Sequence, residues 1–325
     1  MADGGDNVFV YLGGEQVVPG DVTHVVIDRS VKIIPARAFY QSKLVSVKFH
    51  EGIKIIGRWS FSDCFYLRKI SLLGVREVEE GAFYFCRALT NVELCNNLET
   101  IGDGAFNYCV SLQKITMPSV RIIGQWAFQD CELTDVELGG NLETIGSNAF
   151  SGCHNLRRIA IPLKDEIFPL SSYSRRCNQF DNCPNLTTVD LVGVEGIHKT
   201  ISSLLLESWR TEIIAEINRI NQVLPSTSRG KTDTIRRWIR TVIDRTEHYK
   251  AENYRLLKED MTLLELAVWK AKLDEKEGDN CNQKVQAKKA KIDVESARKE
   301  RRITSGADII IRNVLPFLQL LEEEE

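Results

Sequence analysis

Phe39, Phe61, Phe83, Phe106, Phe128, Phe150 and Phe180 follow one another at intervals of 22, 22, 23, 22, 22 and 30 residues. Their neighbours repeat with them. Alanine precedes five of the rings, at Ala38, Ala82, Ala105, Ala127 and Ala149. Three residues after six of them stands Cys64, Cys86, Cys109, Cys131, Cys153 or Cys183, and Ser42 holds that place in the first unit. Five or six residues after each ring comes Leu44, Leu67, Leu89, Leu112, Leu133, Leu156 or Leu186. Units this short cannot enclose a core alone, so they must stack, each coil closing off the next.

After each leucine the chain reads L-x-x-[VI]-x-[LIMF], as in Leu89–Leu94 and Leu133–Leu138. Apolar residues two apart on a β-favouring stretch describe a short strand with one face buried. Ile-Gly steps follow at Ile56-Gly57, Ile101-Gly102, Ile123-Gly124 and Ile145-Gly146, where glycine fits a tight turn. Stacking sets parallel strands about 4.8 Å apart, with phenylalanine and cysteine as two inner ladders. A coil spacing of this size is compatible with disulfides, which span about 4.4–6.8 Å between Cα atoms. Identical inward-pointing groups, one replaceable by Ser42, read better as free thiols packing as small hydrophobes. No Cys-x-x-Cys pair exists, so a zinc site lacks its usual spacing.

These residues resemble the BspA-type leucine-rich-repeat family, whose units read roughly I-G-x-x-A-F-x-x-C-x-x-L-x-x-[VI]-x-[LI]. The resemblance covers about residues 22–192. It implies a curved solenoid with its strands on the concave side, used for protein recognition. The family includes secreted microbial surface proteins, which gives an adhesin as the alternative function.

The expected fold class is α+β, with a cap at 1–22, a solenoid of about seven repeats of 22–23 residues over 23–196, and an α-helical region over 197–325. Val8–Leu12, Gly13-Gly14 and Glu15–Val18 read as an N-terminal β-hairpin with a two-residue turn. Near Pro162–Cys177, with Asp165, Glu166, Arg175 and Arg176, an insertion of about eight residues reads as a surface loop.

From about Lys199 the period changes. Ile201, Leu205, Trp209, Ile213, Ile217, Ile220 and Leu224 describe one amphipathic helix, ended by Pro225–Gly230. A second stripe runs Ile235, Ile239, Val242, Thr246 and Tyr249. Thr262-Leu-Leu-Glu265 has capping-box form and predicts a break, with Leu263, Leu264, Leu266 and Trp269 as core candidates. Glu277–Asn280 predicts another break, and Ser305–Asp308 a further helix start leading towards Pro316. Such a region is expected to cover the open end of the solenoid, to self-associate through an exposed helix, or to act as a regulatory subunit. The basic run Lys288, Lys289, Lys291, Arg298, Lys299, Arg301 and Arg302 reads as a solvated face, with a nuclear signal or phosphate patch as the alternative.

Charge argues against nucleic acid. Residues 1–196 hold 18 basic and 23 acidic side chains, and residues 197–325 hold 24 and 22, so neither part carries a strong positive field. Met1–Asn7 lacks the basic start and apolar run of an export signal, and the apolar runs are too short to span a bilayer, so the expected location is cytoplasmic or nuclear, without membrane attachment. His24, His50, His154, His198 and His248 lie in no metal-binding or triad-like motif. No phosphate-cradling or dinucleotide fingerprint is present either, so no enzyme, cofactor or metal is expected.

What remains is recognition. Residues alternating with the buried ones in each strand must face outward, in two columns. Lys48, Lys69, Asn91, Glu93, Lys114, Asp135, Glu137 and Arg158 are the expected partner-binding residues on them, a basic zone followed by an acidic one. The expected partner is a protein, engaged through fixed charges.

Overall fold

The computed structural model describes residues 8–14, 16–169, 178–193, 195–225, 227 and 229–283, the last ten of these by backbone alone. The chain forms two compact units, Met1–Tyr249 and Lys250–Glu325.

The first unit is built on a parallel-strand solenoid. One strand sheet comprises β1 (Val8–Tyr11), β2 (His24–Ile27), β4 (Ser46–Lys48), β6 (Lys69–Leu72) and β8 (Asn91–Leu94) in that order. Its continuation is a second sheet of β10 (Lys114–Met117), β12 (Asp135–Leu138), β14 (Arg158–Pro162) and β15 (Thr188–Val192). The break between β8 and β10 coincides with the 23-residue interval from Phe83 to Phe106. A third sheet stacks two-residue strands: β3 (Ile33–Ile34), β5 (Ile55–Ile56), β7 (Glu77–Val78), β9 (Thr100–Ile101), β11 (Ile122–Ile123) and β13 (Thr144–Ile145).

The seven ladder rings are fully buried and stack face to face, with centroids 4.8–5.7 Å apart and interplanar angles of 1–13°. Beside them, each thiol donates to the carbonyl of the phenylalanine one coil back. Cys86 bonds Phe61 O at 3.1 Å, Cys131 bonds Phe106 O at 3.1 Å and Cys183 bonds Phe150 O at 3.0 Å. The same Phe61 oxygen accepts the Cys64 N–H, so the thiol fills its second lone pair. Ser42, half-buried in the first unit, meets Cys64 Sγ at 3.2 Å.

The backbone closes each coil through left-handed residues two before and two after the ring, such as Trp59 and Asp63, or Trp126 and Asp130. The Ile-Gly glycines serve close approach instead. A Cβ on Gly57 would lie 2.5 Å from Ile34 O, and one on Gly146 2.5 Å from Gln125 N.

The expected hairpin does not form. β1 pairs in parallel with β2, from Val8↔His24 to Tyr11↔Ile27, and Gln16–Pro19 carry no strand. Parallel addition places the Tyr11 ring edge-on against Phe39 at 5.0 Å, extending the aromatic core by one step. Gln16 Oε1 takes the Leu12 N–H at 2.7 Å, so the local turn is satisfied without a second strand.

The expected first helix is two helices, α1 (Glu195–Ser203) and α2 (Glu207–Val223). The break at Leu204 is held by Arg210, whose guanidinium donates to Leu204 O at 2.9 and 2.6 Å, while Leu204 packs with Ile201 and Ile213. Next, α3 (Lys231–Gln283) buries Ile235, Ile239 and Val242, the anticipated stripe, together with Trp238. It runs unbroken through Thr262 and Gly278. Thr262 Oγ1 donates back to Lys258 O at 2.8 Å, a mid-helix bond and not a cap. Leu263, Leu264, Leu266 and Trp269 are 50–70% exposed and are not core.

Only part of the insertion is a surface loop. Ile167 and Phe168 are buried, Ile167 O accepts the Ile145 N–H at 2.7 Å, and Phe168 meets Phe180 edge-on at 5.8 Å. Its Arg175 and Arg176, the basic run at 288–302 and the helix start at Ser305 lie outside the described residues.

Candidate recognition surface

Strand register places the expected columns side by side. Lys69 pairs with Asn91, Lys114 with Asp135 and Asp135 with Arg158 in one column. In the other, Ser71 pairs with Glu93 and Thr116 with Glu137. Lys48, Lys69, Asn91, Glu93, Lys114, Asp135 and Glu137 are all exposed, because the residues between them, such as Val92 and Val136, take the inward side.

The far end of the face differs. Arg158 bonds Asp190 at 2.5 Å, both about 40% exposed, so its charge is already partnered. Ala160, the next member of the second column, is buried. The open charges therefore concentrate between β4 and β12.

Sequence reasoning missed a second exposed feature, on the turn side. Trp59 packs edge-on to Tyr84 at 5.4 Å, Phe85 stacks on Tyr108 at 4.4 Å, and the Arg87 guanidinium lies 4.9 Å from the Phe85 ring centre. Phe65, Tyr66 and Trp126 stand more open nearby in sequence. The signal was present: Trp59, Phe85, Tyr108 and Trp126 are aromatic at left-handed positions that Gly81, Gly104 and Gly152 fill elsewhere.

The open C-terminal end of the solenoid is finished by side chains from the helices. Within the array, Phe61 N–H donates to Ala82 O at 2.8 Å, Phe106 N–H to Ala127 O at 2.8 Å, and Phe150 N–H to Gln179 O at 3.0 Å. At Phe180 no further coil follows, and Thr232 Oγ1 accepts that N–H at 3.0 Å. Asn221 Oδ1 accepts the Val189 N–H of β15 at 2.9 Å. Lys231 Nζ donates to Leu186 O at 2.6 Å and to Pro184 O at 3.4 Å, and burial pushes its pKa down. Edge groups that would otherwise recruit another strand are thus occupied.

The sequence pattern of BspA-type leucine rich repeat regions matches residues 20–133 and 105–201, in six copies, over more than half of the chain. The chain belongs to the BspA-type leucine-rich-repeat family. Among solved structures, the solenoid is similar to a leucine rich cell surface protein of Faecalibacterium prausnitzii, at 26% identity over 52% of this chain and 57% of that one, with a TM-score of 0.43. It is also similar to the T. pallidum leucine rich repeat protein, at 26% identity over 57% of this chain and 84% of that one, with a TM-score of 0.39. This BspA-type chain spans just over half the length of the Faecalibacterium protein. No curated protein matches it. Among the described residues no helix is long and apolar enough to cross a membrane, and no group of three or more His, Cys, Asp and Glu side chains could hold a metal ion.

Proposed function

We propose that this chain is a non-catalytic recognition scaffold that binds a protein partner through its strand face. The supporting observation is the run of exposed charges in fixed register from Lys48 and Lys69 to Asp135 and Glu137, on strands whose other faces are locked in the core. Such a surface loses little conformational freedom on binding and selects partners by charge order. Contacts would run through Lys48, Lys69, Asn91, Glu93, Lys114, Asp135 and Glu137, with Arg158 at the far margin. The test is affinity capture with the full chain. Glu93→Lys with Glu137→Lys should leave the unfolding midpoint in place and weaken capture of the partner found with the wild type. Undiminished capture would move the site to the aromatic turn surface or to the helical region.

A second reading is self-association through α3. It is supported by Leu263, Leu264, Leu266 and Trp269, large apolar groups left exposed within one stretch of α3. Leu264→Glu with Trp269→Glu should convert a sedimenting dimer to a monomer, and a wild type that sediments as a monomer at high concentration refutes it.

For location, an interior compartment is supported by the free state of Cys64, Cys86, Cys95, Cys109, Cys131, Cys153 and Cys183. The cell-surface description of the Faecalibacterium protein supports the adhesin alternative. Thiol counting on protein purified from its natural source under non-reducing conditions separates the two.

A further inference from the structure

At the N-terminal end of the strand face lies an open cleft of about 950 Å³. Its floor continues one outward row across four strands: Val10, Val26, Lys48 and Ser71. Its walls come from the turns that follow the strands, with Asp28 and Arg29 after β2, Phe49 to Gly52 after β4, and Leu73 after β6.

The polar groups of the cleft divide into those already used and those left open. The Asp28 carboxylate accepts the Ser30 N–H at 2.9 Å and the Ser30 hydroxyl at 2.6 Å. His50 Nδ1 accepts the Gly52 N–H at 3.0 Å, which fixes Nε2 as the donor to Asp28 O at 2.9 Å. The imidazole therefore staples two coils together. Lys32 Nζ donates to Arg29 O at 3.2 Å. Arg29 and Lys48 form no ion pair with any described residue. Glu51 is exposed, so three cations face two carboxylates, one of them held by its own turn. Between these charges the surface is apolar. Val10 is 49% and Leu73 50% exposed, and Val26 and Phe49 are half-buried.

We propose that this cleft takes an extended peptide segment of a partner protein that carries both acidic and aliphatic side chains. Its aliphatic side chains would pack on Val10, Val26 and Leu73, and its carboxylates would meet Arg29 and Lys48, which line the same cleft. The inference rests on the strand-face reading and gives that face its anchoring pocket and the chemistry of the segment it holds. Apolar contact in the cleft supplies the desolvated centre that the rest of the charged face lacks.

The probe is a fluorescein-labelled octapeptide of alternating Glu and Leu, titrated with the full chain and read by anisotropy. The controls are alternating Lys and Leu, and alternating Glu and Ser. Binding of the Glu/Leu peptide at least about tenfold tighter than either control is expected, weakening with added salt. Arg29→Glu with Lys48→Glu should reduce it by about tenfold or more, and Leu73→Ser by a similar factor, with unfolding midpoints unchanged because all three side chains are open to solvent. Equal binding of the Lys/Leu peptide overturns the charge assignment. Equal binding of the Glu/Ser peptide means a bare polyanion surface and overturns the apolar half. No saturable binding of the Glu/Leu peptide overturns the proposal outright. If the Glu93 and Glu137 reversals still abolish partner capture while these cleft variants do not, the strand-face reading survives and the cleft proposal falls.

Discussion

Replacing Thr232 by valine removes one oxygen at the point where the solenoid ends. Thr232 is 1% exposed, and its Oγ1 accepts the Phe180 N–H, standing in for the carbonyl that the next coil supplies everywhere else. Valine has nearly the same shape, so packing changes little and the loss is that of a buried donor left without a partner, about 1–3 kcal/mol. The extra methyl returns less than about 1 kcal/mol. In a repeat array the damage should be local, because each coil is coupled mainly to its neighbours. Amide hydrogen exchange on the full chain should therefore quicken in the segment around Phe180 and stay unchanged around Phe61. The urea midpoint should fall by an amount matching the same free energy. Thr232→Ser keeps the oxygen and should recover most of the loss. Equal destabilisation by serine and valine would show that Thr232 acts by its methyl group, and unchanged exchange at Phe180 would refute the end-capping argument altogether.

Phe106→Ala and Phe128→Ala each empty a fully buried ring site stacked on both sides and should cost about 3–5 kcal/mol in chemical denaturation. Phe106→Leu should lose about 1–2 kcal/mol, since most of the volume remains. Burial pushes the Cys64 thiol up to about 11 and the Cys183 thiol to about 12, and moves Cys86 and Cys109 in the same direction. Alkylation of the native protein at mildly alkaline pH should therefore spare the ladder and label it after denaturation without reductant; mass spectrometry reads both, and native bridges between ladder cysteines would refute it. The Lys231 pKa is lowered by burial, so folding disfavours its charged form: the penalty is full below the depressed folded value and gone above the unfolded value of about 10.4. Its contribution to stability therefore rises with pH across that window, and Lys231→Met should flatten the alkaline limb of the wild-type profile by that one proton. An unchanged slope would place the ammonium in solvent.

What the sequence disclosed is what repeats. The ring ladder, the thiol ladder and the inward and outward strand positions follow from a period that seven units state in one phase, and the helical region after it from steps of three and four. Errors fell where the period stops and local chemistry was left to decide. Gly13-Gly14 favoured a hairpin, yet burying Tyr11 against Phe39 required parallel pairing with β2. Thr262 and Glu265 have capping form, yet Thr262 bonds back into its own helix.

The two ends of the array show why termini resist this kind of reading. A coil in the middle meets copies of itself, so every hydrogen-bonding group has a partner that the repeat itself predicts. The last coil meets something different, and its partners are Asn221, Lys231 and Thr232, 32 to 52 residues away in sequence and on two helices. Nothing in the spacing of a lone Asn, Lys or Thr marks it as a substitute carbonyl or amide. The same holds for recognition. Outward positions are legible because strands alternate, but the repeat constrains only what is buried, and the identity of an outward residue is free to follow a partner. The places where that freedom was used unevenly are the informative ones. They are the exposed cations Arg29 and Lys48, which form no ion pair with any described residue, exposed aliphatic groups at Val10 and Leu73, and aromatic residues at left-handed turns from Trp59 to Trp126. A solenoid selected only for stability has no use for an exposed leucine and an exposed arginine lining one cleft, so departures from the repeat on its open faces, rather than the repeat itself, are where a partner's chemistry is written.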